Sequence, residues 1–313
     1  MFGRYQKVGS ALNAALLARR YDRLYVTAEG VGLPLAILLK LSGWKGKMAC
    51  VFHNSGWKSK KLVLSLLGHD IFAALITVNE LQAKILTDDC GMPQDKVMAA
   101  FNWVDDRFFR PADEDTDSIA APFVMACGAE NRDYDTLARA AGRVEGKFAV
   151  YGHGYRADNV RARDCPPNME YMSRVSFPEL RNAYARSSIV VVPLNDVDYA
   201  AGVTGIVEAM AAGRPIVATA SRGIREYLTG FDPWTVVQPG DDEAMAAALT
   251  RLNGDRELRE RLGRQNRIFA EERCSLDGYV NQVAERLARH DPRGVQPFTR
   301  CLRPNSPTSE VRR

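Results

Sequence analysis

The chain has 313 residues, 46% of them hydrophobic and 26% charged, with a formal net charge of +4 at pH 7. This is the composition of a globular protein large enough for two domains, and it holds no apolar stretch of the roughly 18 to 20 residues that span a bilayer. The six cysteines and four histidines are scattered, and residues 1–10 lack the apolar core of a signal peptide, so we expect a cytoplasmic protein with reduced thiols and no metal cluster.

The first part of the chain, residues 1–111, alternates segments that favour helix and strand. The predicted helices are 12–20, 33–41, 58–67 and 80–90, and the predicted strands are 23–27, 48–52, 74–78 and 97–101. This alternation predicts an N-terminal α/β domain with parallel strands. The domain has 15 Lys and Arg residues against nine Asp and Glu residues, which predicts an acidic partner for this half.

A second α/β pattern follows an acidic segment, 112–122, which we interpret as a linker. The predicted strands are 123–126, 148–151, 189–193 and 216–219, and the predicted helices are 135–142, 179–186, 206–212, 244–253 and 257–272. These elements predict a C-terminal domain over residues 123–274. A last helix, 275–290, follows the capping residue Ser275 and is expected to pack back on the first domain, and the Pro- and Arg-rich tail, 291–313, is predicted to be disordered.

Residues 189–219 have the pattern strand, loop, helix, strand, with small residues at the start of the helix. In a parallel sheet, ligands bind where strands meet helix N-termini, whose unpaired N–H groups suit an anion such as a diphosphate. We therefore predict that the backbone of Gly202, Val203 and Thr204 binds phosphate and that Glu208, in the same helix, accepts bonds from a ribose. The alternative is a βαβ unit without a ligand, in which Glu208 caps the helix.

The run VEAMAAGRPIVAT, residues 207–219, resembles the nucleotide-sugar site of GT-B glycosyltransferases of the family-4 type. Those enzymes carry a Glu-x7-Glu motif, in which Glu208 matches the second Glu and Ala200 stands in place of the first. The run CGMPQDKVMAAFNWVDDRFFRP also resembles a family pattern, at Gly91, Pro93, Lys96, Asn102, Val104, Asp105, Phe109 and Pro111. The resemblance covers about residues 20–290, and nothing before Tyr21 matches the family's first βα unit with its Gly-rich loop.

The resemblance implies the GT-B fold, in which two Rossmann-like, doubly wound domains face a cleft. It implies a glycosyltransferase that moves a sugar from a nucleotide-diphosphate donor, held by the C-terminal domain, to a glycan or lipid-linked acceptor. Transfer is expected to retain the anomeric configuration and to need neither a metal nor a cofactor. Two alternatives remain open: a non-catalytic nucleotide-sugar-binding or scaffold protein, which the unmatched first βα unit and Ala200 favour, and a sugar-nucleotide epimerase or phosphorylase of the same fold.

The family also places a basic side chain at the donor phosphates. The segment CGAENRDYDTL, residues 127–137, stands where the family has its GR…KG stretch. We therefore expect Gly128 and Arg132 at the donor diphosphate, with the Arg132 guanidinium as the catalytic group that stabilises the leaving group. The alternative is a surface salt bridge between Arg132 and Asp133 or Asp135.

Two further groups of residues receive roles from the resemblance alone. The backbone of Ser173, Arg174 and Val175 is expected to hold the nucleotide base, or else to form only a loop before a helix. His53 stands at the end of a predicted strand, where the family has a catalytic histidine that faces the donor sugar. The alternative for His53 is an ordinary loop histidine.

Lys58, Lys60 and Lys61 precede an apolar helical run and predict contact with an anionic membrane surface. The alternative is a solvated helix end. No recognised nucleic-acid-binding motif accompanies the positive charge, so nucleic acid is not an expected partner.

Two short motifs are weaker. Residues 152–157, GHGYRA, fit a dinucleotide fingerprint, but a polar stretch follows them in place of an apolar helix, so we expect no nicotinamide or flavin. Asp196 and Asp198 form an Asp-x-Asp pair of the kind that binds a metal in other transferases. Since such spacing is frequent by chance, we expect no required metal.

Overall fold

A computed structural model describes residues 2–56, 58–112, 123–152 and 164–289, with side chains from residue 6 onward. The predicted linker is therefore described only at Ala112. The predicted tail, 291–313, and the motif residues after Gly152 lie outside the described residues.

The N-terminal half forms a parallel sheet with strand order β1-β2-β3-β4. The strands are β1 (Arg23–Val26), β2 (Lys47–Phe52), β3 (Phe72–Thr77) and β4 (Val97–Ala99), and the helices are α1 (Phe2–Ala18), α2 (Glu29–Leu41), α3 (Lys58–Leu67) and α4 (Glu80–Lys84). Every residue of β3, and all of β2 but its first, is buried, as expected of apolar runs in the middle of a parallel sheet. Helix α2 begins four residues before the apolar run that predicted it, and α4 continues as a π-helical turn, Ile85–Asp89, in place of the single helix predicted there.

The C-terminal half forms a six-stranded parallel sheet with strand order β10-β9-β8-β5-β6-β7. The strands are β5 (Phe123–Cys127), β6 (Lys147–Tyr151), β7 (Met169–Tyr171), β8 (Ile189–Val192), β9 (Ile216–Thr219) and β10 (Val236–Val237), and the helices are α5 (Tyr134–Ala141), α6 (Phe177–Arg186), α7 (Val203–Ala211), α8 (Asp242–Gly254) and α9 (Arg256–Arg273). The chain order reverses between β5 and β8, and a crevice forms at the carboxyl ends of the strands at such a switch point. The predicted α/β class with parallel sheets is confirmed.

A final helix, α10 (Leu276–Ala288), returns to the N-terminal sheet. The Ser275 hydroxyl accepts a bond from the Gly278 N–H at 3.3 Å and caps the helix. Tyr279 packs with Ile76 of β3, and its hydroxyl lies 2.9 Å from that of Tyr25 on β1. The last helix therefore holds the two halves of the chain together.

Direct hydrogen bonds also join the two halves. The Tyr227 hydroxyl, after β9, donates to the Val78 carbonyl at 2.7 Å and accepts from the Asn102 N–H at 2.7 Å. The Asn79 side chain, after β3, donates to the Gly223 carbonyl at 2.8 Å. Because all of these residues follow the ends of strands, the two sheets turn their carboxyl edges toward each other.

Candidate functional site

The turn after β5 holds Arg132 in a fixed position. Its Nε donates to the Cys127 carbonyl at 2.9 Å and its Nη1 to the Glu130 carbonyl at 2.9 Å. Gly128 has φ +103°, and a Cβ there would lie 2.3 Å from Arg132 Nη2, so glycine at this position lets the guanidinium pack against the turn. The Asp133 carboxylate, named above as an alternative partner, instead accepts the Thr136 N–H and caps α5.

The N-terminus of α7 approaches the same turn. Gly202, its N-cap, has φ +89°, and a Cβ there would lie 3.0 Å from the Leu194 side chain, so the loop depends on glycine to pass this close to β8. A Cβ on Gly205 would lie 3.7 Å from Arg132 Nη2. The guanidinium therefore lies beside the first turn of the helix, where N–H groups have no intrahelical acceptor. Gly128, Arg132, Gly202 and the first residues of α7 are brought together.

Glu208 lies one turn further along α7 and is only 8% exposed. Burial raises the pKa of its carboxyl to about 7, while the nearby Tyr184 hydroxyl and Arg132 guanidinium oppose that rise. A carboxyl in this position can exchange a proton near neutral pH and can accept hydrogen bonds from hydroxyl groups when it is ionised.

Tyr184 on α6 completes the group and was not found by sequence reasoning. Its side chain is fully buried, and its hydroxyl lies next to the Glu208 carboxyl and the Cys127 thiol without a regular hydrogen bond to either. Burial, Cys127 and Glu208 raise the pKa of the Tyr184 hydroxyl, so the hydroxyl stays protonated and can donate a hydrogen bond to a carboxylate. The sequence gave one indication of this contact, which is the tyrosine itself within a predicted helix, since a buried phenol needs a polar partner.

His53 lies at the carboxyl end of β2. Its backbone N–H donates to a Glu29 carboxylate oxygen at 3.2 Å, and its ring Nε2 lies 3.0 Å from the Thr27 carbonyl. A carbonyl only accepts, so Nε2 carries the hydrogen and Nδ1 of the neutral ring is an acceptor. Both of these bonds stay within the N-terminal half, and neither joins His53 to the turn that carries Arg132.

The structure corrects the prediction for Lys60. Its ammonium group lies 2.6 Å from the Glu29 carboxylate and also bonds the Asn54 carbonyl, with 19% of the side chain exposed. Lys60 and the His53 N–H lower the pKa of Glu29 despite its burial. Lys60 is therefore a structural ion-pair partner and is not part of a membrane-facing group, which leaves the exposed Lys58 and Lys61.

The remaining predicted site residues lie on the loop between β7 and α6. Ser173 and Arg174 are exposed and Val175 is half-buried, and the loop ends at Ser176, which forms a capping box with Glu179. This loop follows a strand end, as the turn at Gly128 does, so both lie at the same edge of the sheet.

The structure also gives the contacts of Asp196, the first residue of the Asp-x-Asp pair. Asp196 pairs with Arg222 at 2.9 Å and accepts its backbone N–H, and these contacts lower its pKa. Among the described residues, no group of three potential metal ligands occurs, and no helix is long and apolar enough to cross a membrane. Transfer without a metal stays a prediction.

The sequence matches a known family over part of its length. Residues 121–255 match the model of the family described as Glycosyl transferases group 1. The lipopolysaccharide core biosynthesis glycosyltransferase LpsE of Rhizobium meliloti (strain 1021) is 29% identical over 154 residues, which cover 45% of this chain and 42% of that protein. The chain thus spans less than half the length of the curated relative that it matches.

Solved structures resemble the chain over nearly its whole length. Anabaena Alr3699/HepE in complex with UDP and glucose has a TM-score of 0.72 and 15% identity, covering 89% of this chain and 81% of that one. A glycosyltransferase from Rickettsia africae ESF-5 has a TM-score of 0.69 and 16% identity, with 91% and 81% covered. Sucrose-phosphate synthase from Thermosynechococcus elongatus has a TM-score of 0.69 and 15% identity, with 88% and 75% covered.

These likenesses establish the fold as that of the GT-B glycosyltransferases, with two parallel sheets facing each other. Residues 121–255 match the model of the glycosyl transferases group 1 family, in agreement with the resemblance of the sequence. The turn carrying Arg132 and the helix carrying Glu208 both lie within this matched segment.

Proposed function

We propose that the protein is a glycosyltransferase that moves a sugar from a nucleotide-diphosphate donor to an acceptor. One observation supports this most directly: the Arg132 guanidinium lies beside the first turn of α7, next to the buried carboxyl of Glu208. The diphosphate gains negative charge as the sugar leaves it, and a cation and helix N–H groups that are already in place stabilise that charge.

The individual roles follow from the chemistry of each group. The two carbonyl bonds orient Arg132, so Nη2 faces the phosphate site at no further ordering cost. The N–H groups of Val203 and Thr204 bind phosphate oxygens, and the Glu208 carboxylate accepts the ribose hydroxyls. The loop at Ser173–Val175 holds the base. The structures with UDP and UDP-glucose have the same fold, which supports a donor of that kind.

The acceptor side is proposed to be the N-terminal domain. His53 would approach the donor sugar across the cleft, with Nδ1 as its acceptor atom. We further propose a glycan or lipid-linked acceptor, a cytoplasmic location, no required metal, and retention of the anomeric configuration. Assays with a chelator test whether a metal is required, and NMR analysis of the product tests whether the anomeric configuration is retained.

Contact with an anionic membrane is proposed through α3. Lys58 and Lys61 are exposed, and Leu62 and Leu66 on the same helix are 61% and 73% exposed. Leucines at this spacing can enter the headgroup region while lysines bind anionic lipid. Flotation with phosphatidylglycerol vesicles should be reduced in Lys58→Glu/Lys61→Glu, and equal flotation of this variant and the wild type would contradict the proposal.

The direct test of the function is turnover of nucleotide sugars. The purified chain, assayed against a panel of donors, should release nucleoside diphosphate, and Arg132→Ala should lower that rate at least about 100-fold, the usual loss for a preorganised transition-state donor. Arg139→Ala, an exposed arginine on α5, is the matched control and should keep the wild-type rate. Nucleotide binding without turnover would favour the scaffold alternative, and an altered sugar nucleotide would favour the epimerase.

A further inference from the structure

One fully buried side chain, Gln82 of α4, joins a loop of the N-terminal half to a loop of the C-terminal half. Its exposed fraction is 0%. Its Oε1 accepts the backbone N–H of Ser55, in the loop after β2, and its Nε2 donates to the Asp198 carbonyl, in the loop after β8, at 3.0 Å. The carboxamide therefore uses its acceptor on one half of the chain and a donor on the other.

A second buried amide, Asn79 at the N-cap of α4, holds the helix in place for this contact. Its Oδ1 accepts the Gln82 N–H at 2.8 Å, and its Nδ2 donates to the Gly223 carbonyl, after β9, at 2.8 Å. A buried amide that loses its hydrogen-bond partner is costly. Because both amides would lose a partner if the two halves moved apart, these bonds favour one relative position of the halves.

The bond to Ser55 acts on the loop that carries His53. Ser55 is buried and lies two residues after His53. The same loop is held to its own half by the bond from the His53 N–H to the Glu29 carboxylate at 3.2 Å. Gln82 therefore joins the segment of His53 to the C-terminal half.

The bond to Asp198 acts on a loop that contacts the turn carrying Arg132. The next residue, Tyr199, donates its hydroxyl hydrogen to a Glu130 carboxylate oxygen at 3.1 Å and accepts a bond from the Asn131 side-chain amide. Glu130 and Asn131 directly precede Arg132 in the chain. The loop at Asp198 is thus held against the donor side of the proposed site.

We propose that Gln82 is a positioning residue that sets the distance between His53 and the donor site by joining one loop of each half. The inference rests on the proposed transfer reaction, in which His53 approaches the donor sugar. A misplacement of about 1 Å can lower a rate about 100-fold, so one amide between the halves is sufficient to affect catalysis. Donor binding uses groups of the C-terminal half and should depend little on Gln82.

The kinetic test uses Gln82→Met, which removes both hydrogen bonds at nearly the same side-chain length. For a donor that the wild type turns over, kcat should fall at least about tenfold, while the Kd of that donor, measured by calorimetry, should stay within about threefold. Asn266→Leu is the matched control, because it removes another buried amide that donates to a backbone carbonyl, that of Arg214 at 2.8 Å, within the C-terminal half. Asn266→Leu should keep the wild-type kcat. Gln82→Glu, which keeps an acceptor for the Ser55 N–H but loses the donor to Asp198, should lower kcat as Gln82→Met does.

Hydrogen exchange of the nucleotide-free protein, measured by mass spectrometry, tests the link without any activity. In Gln82→Met, the loops at residues 53–56 and 195–201 should both exchange faster than in the wild type, because each loses a hydrogen bond. In Asn266→Leu, neither loop should change. Faster exchange in only one of the two loops of Gln82→Met would contradict the link.

Failure of this inference is distinguishable from failure of the proposed function. If the wild type turns over no nucleotide sugar, the transfer reaction itself is contradicted. If the wild type is active and Gln82→Met keeps its kcat, or loses donor affinity as much as kcat, the positioning role is contradicted. An equal loss of kcat in Asn266→Leu would also overturn it, because the effect would then come from the loss of any buried amide.

Discussion

Replacing the buried carboxyl of Glu208 by an amide should make the stability of the protein less dependent on pH. In the unfolded chain the carboxyl ionises near its ordinary pKa of 4.5, whereas burial raises the folded value to about 7. The contribution of this carboxyl to the free energy of unfolding is therefore fully present below pH 4.5. It falls as the pH rises from 4.5 to 7 and stays at its lower value above pH 7. At about 1.36 kcal/mol per pKa unit, the loss of unfolding free energy is about 3 kcal/mol. Glu208→Gln does not show this loss, because an amide does not ionise.

Urea unfolding of the nucleotide-free protein at several pH values tests this reasoning. The free energy of unfolding of Glu208→Gln, relative to the wild type, should rise by about 2 to 3 kcal/mol between pH 5 and pH 8.5. Glu272→Gln, which removes an exposed carboxyl of α9, should differ from the wild type by less than about 0.5 kcal/mol throughout. A relative stability of Glu208→Gln that stays constant with pH would refute the buried, protonated carboxyl.

Two further predictions use matched pairs. Gly128→Ala and Gly146→Ala, at φ +103° and +117°, should each lose about 1 to 3 kcal/mol of unfolding free energy because of backbone strain. Only Gly128→Ala should also lower donor turnover, because its Cβ displaces Arg132. Equal turnover in the two variants would contradict the role of the turn. Lys60→Ala should cost about 2 kcal/mol in urea unfolding, since a mostly buried carboxylate of α2 loses its cation, whereas Lys61→Ala, whose 4.0 Å pair is exposed, should cost less than about 0.5 kcal/mol. Equal costs would contradict the structural assignment of Lys60.

The fold could be predicted from the sequence because its signals are local. Alternating apolar strands and amphipathic helices gave the parallel sheets, and Ser275 gave the start of α10. The ends of elements were less accurate. Helix α2 starts at Glu29, before its apolar run, because a carboxylate in the first turn is favourable there even though it breaks the apolar pattern.

The candidate site was predictable where one segment supplies the signal. Glycines and the motif around Glu208 pointed to the start of α7, and the turn after β5 pointed to Arg132. Contacts between distant segments gave no such signal. Tyr184 meets Glu208 from another helix. Lys60 pairs with a carboxylate 31 residues away, and the sequence around Lys60 alone therefore predicted a membrane-facing group instead of this ion pair.

The measurement that tests the central claim most directly is the dissociation constant of a nucleotide sugar, obtained by calorimetry for the wild type, Arg132→Ala and Arg139→Ala. Once the panel has identified a donor, we predict that Arg132→Ala binds it about 10- to 100-fold more weakly, the loss of a charge-assisted hydrogen bond of about 1.5 to 3 kcal/mol, while Arg139→Ala binds as the wild type does. Equal affinity in Arg132→Ala and the wild type would contradict the account, because the diphosphate would then lie away from the turn after β5.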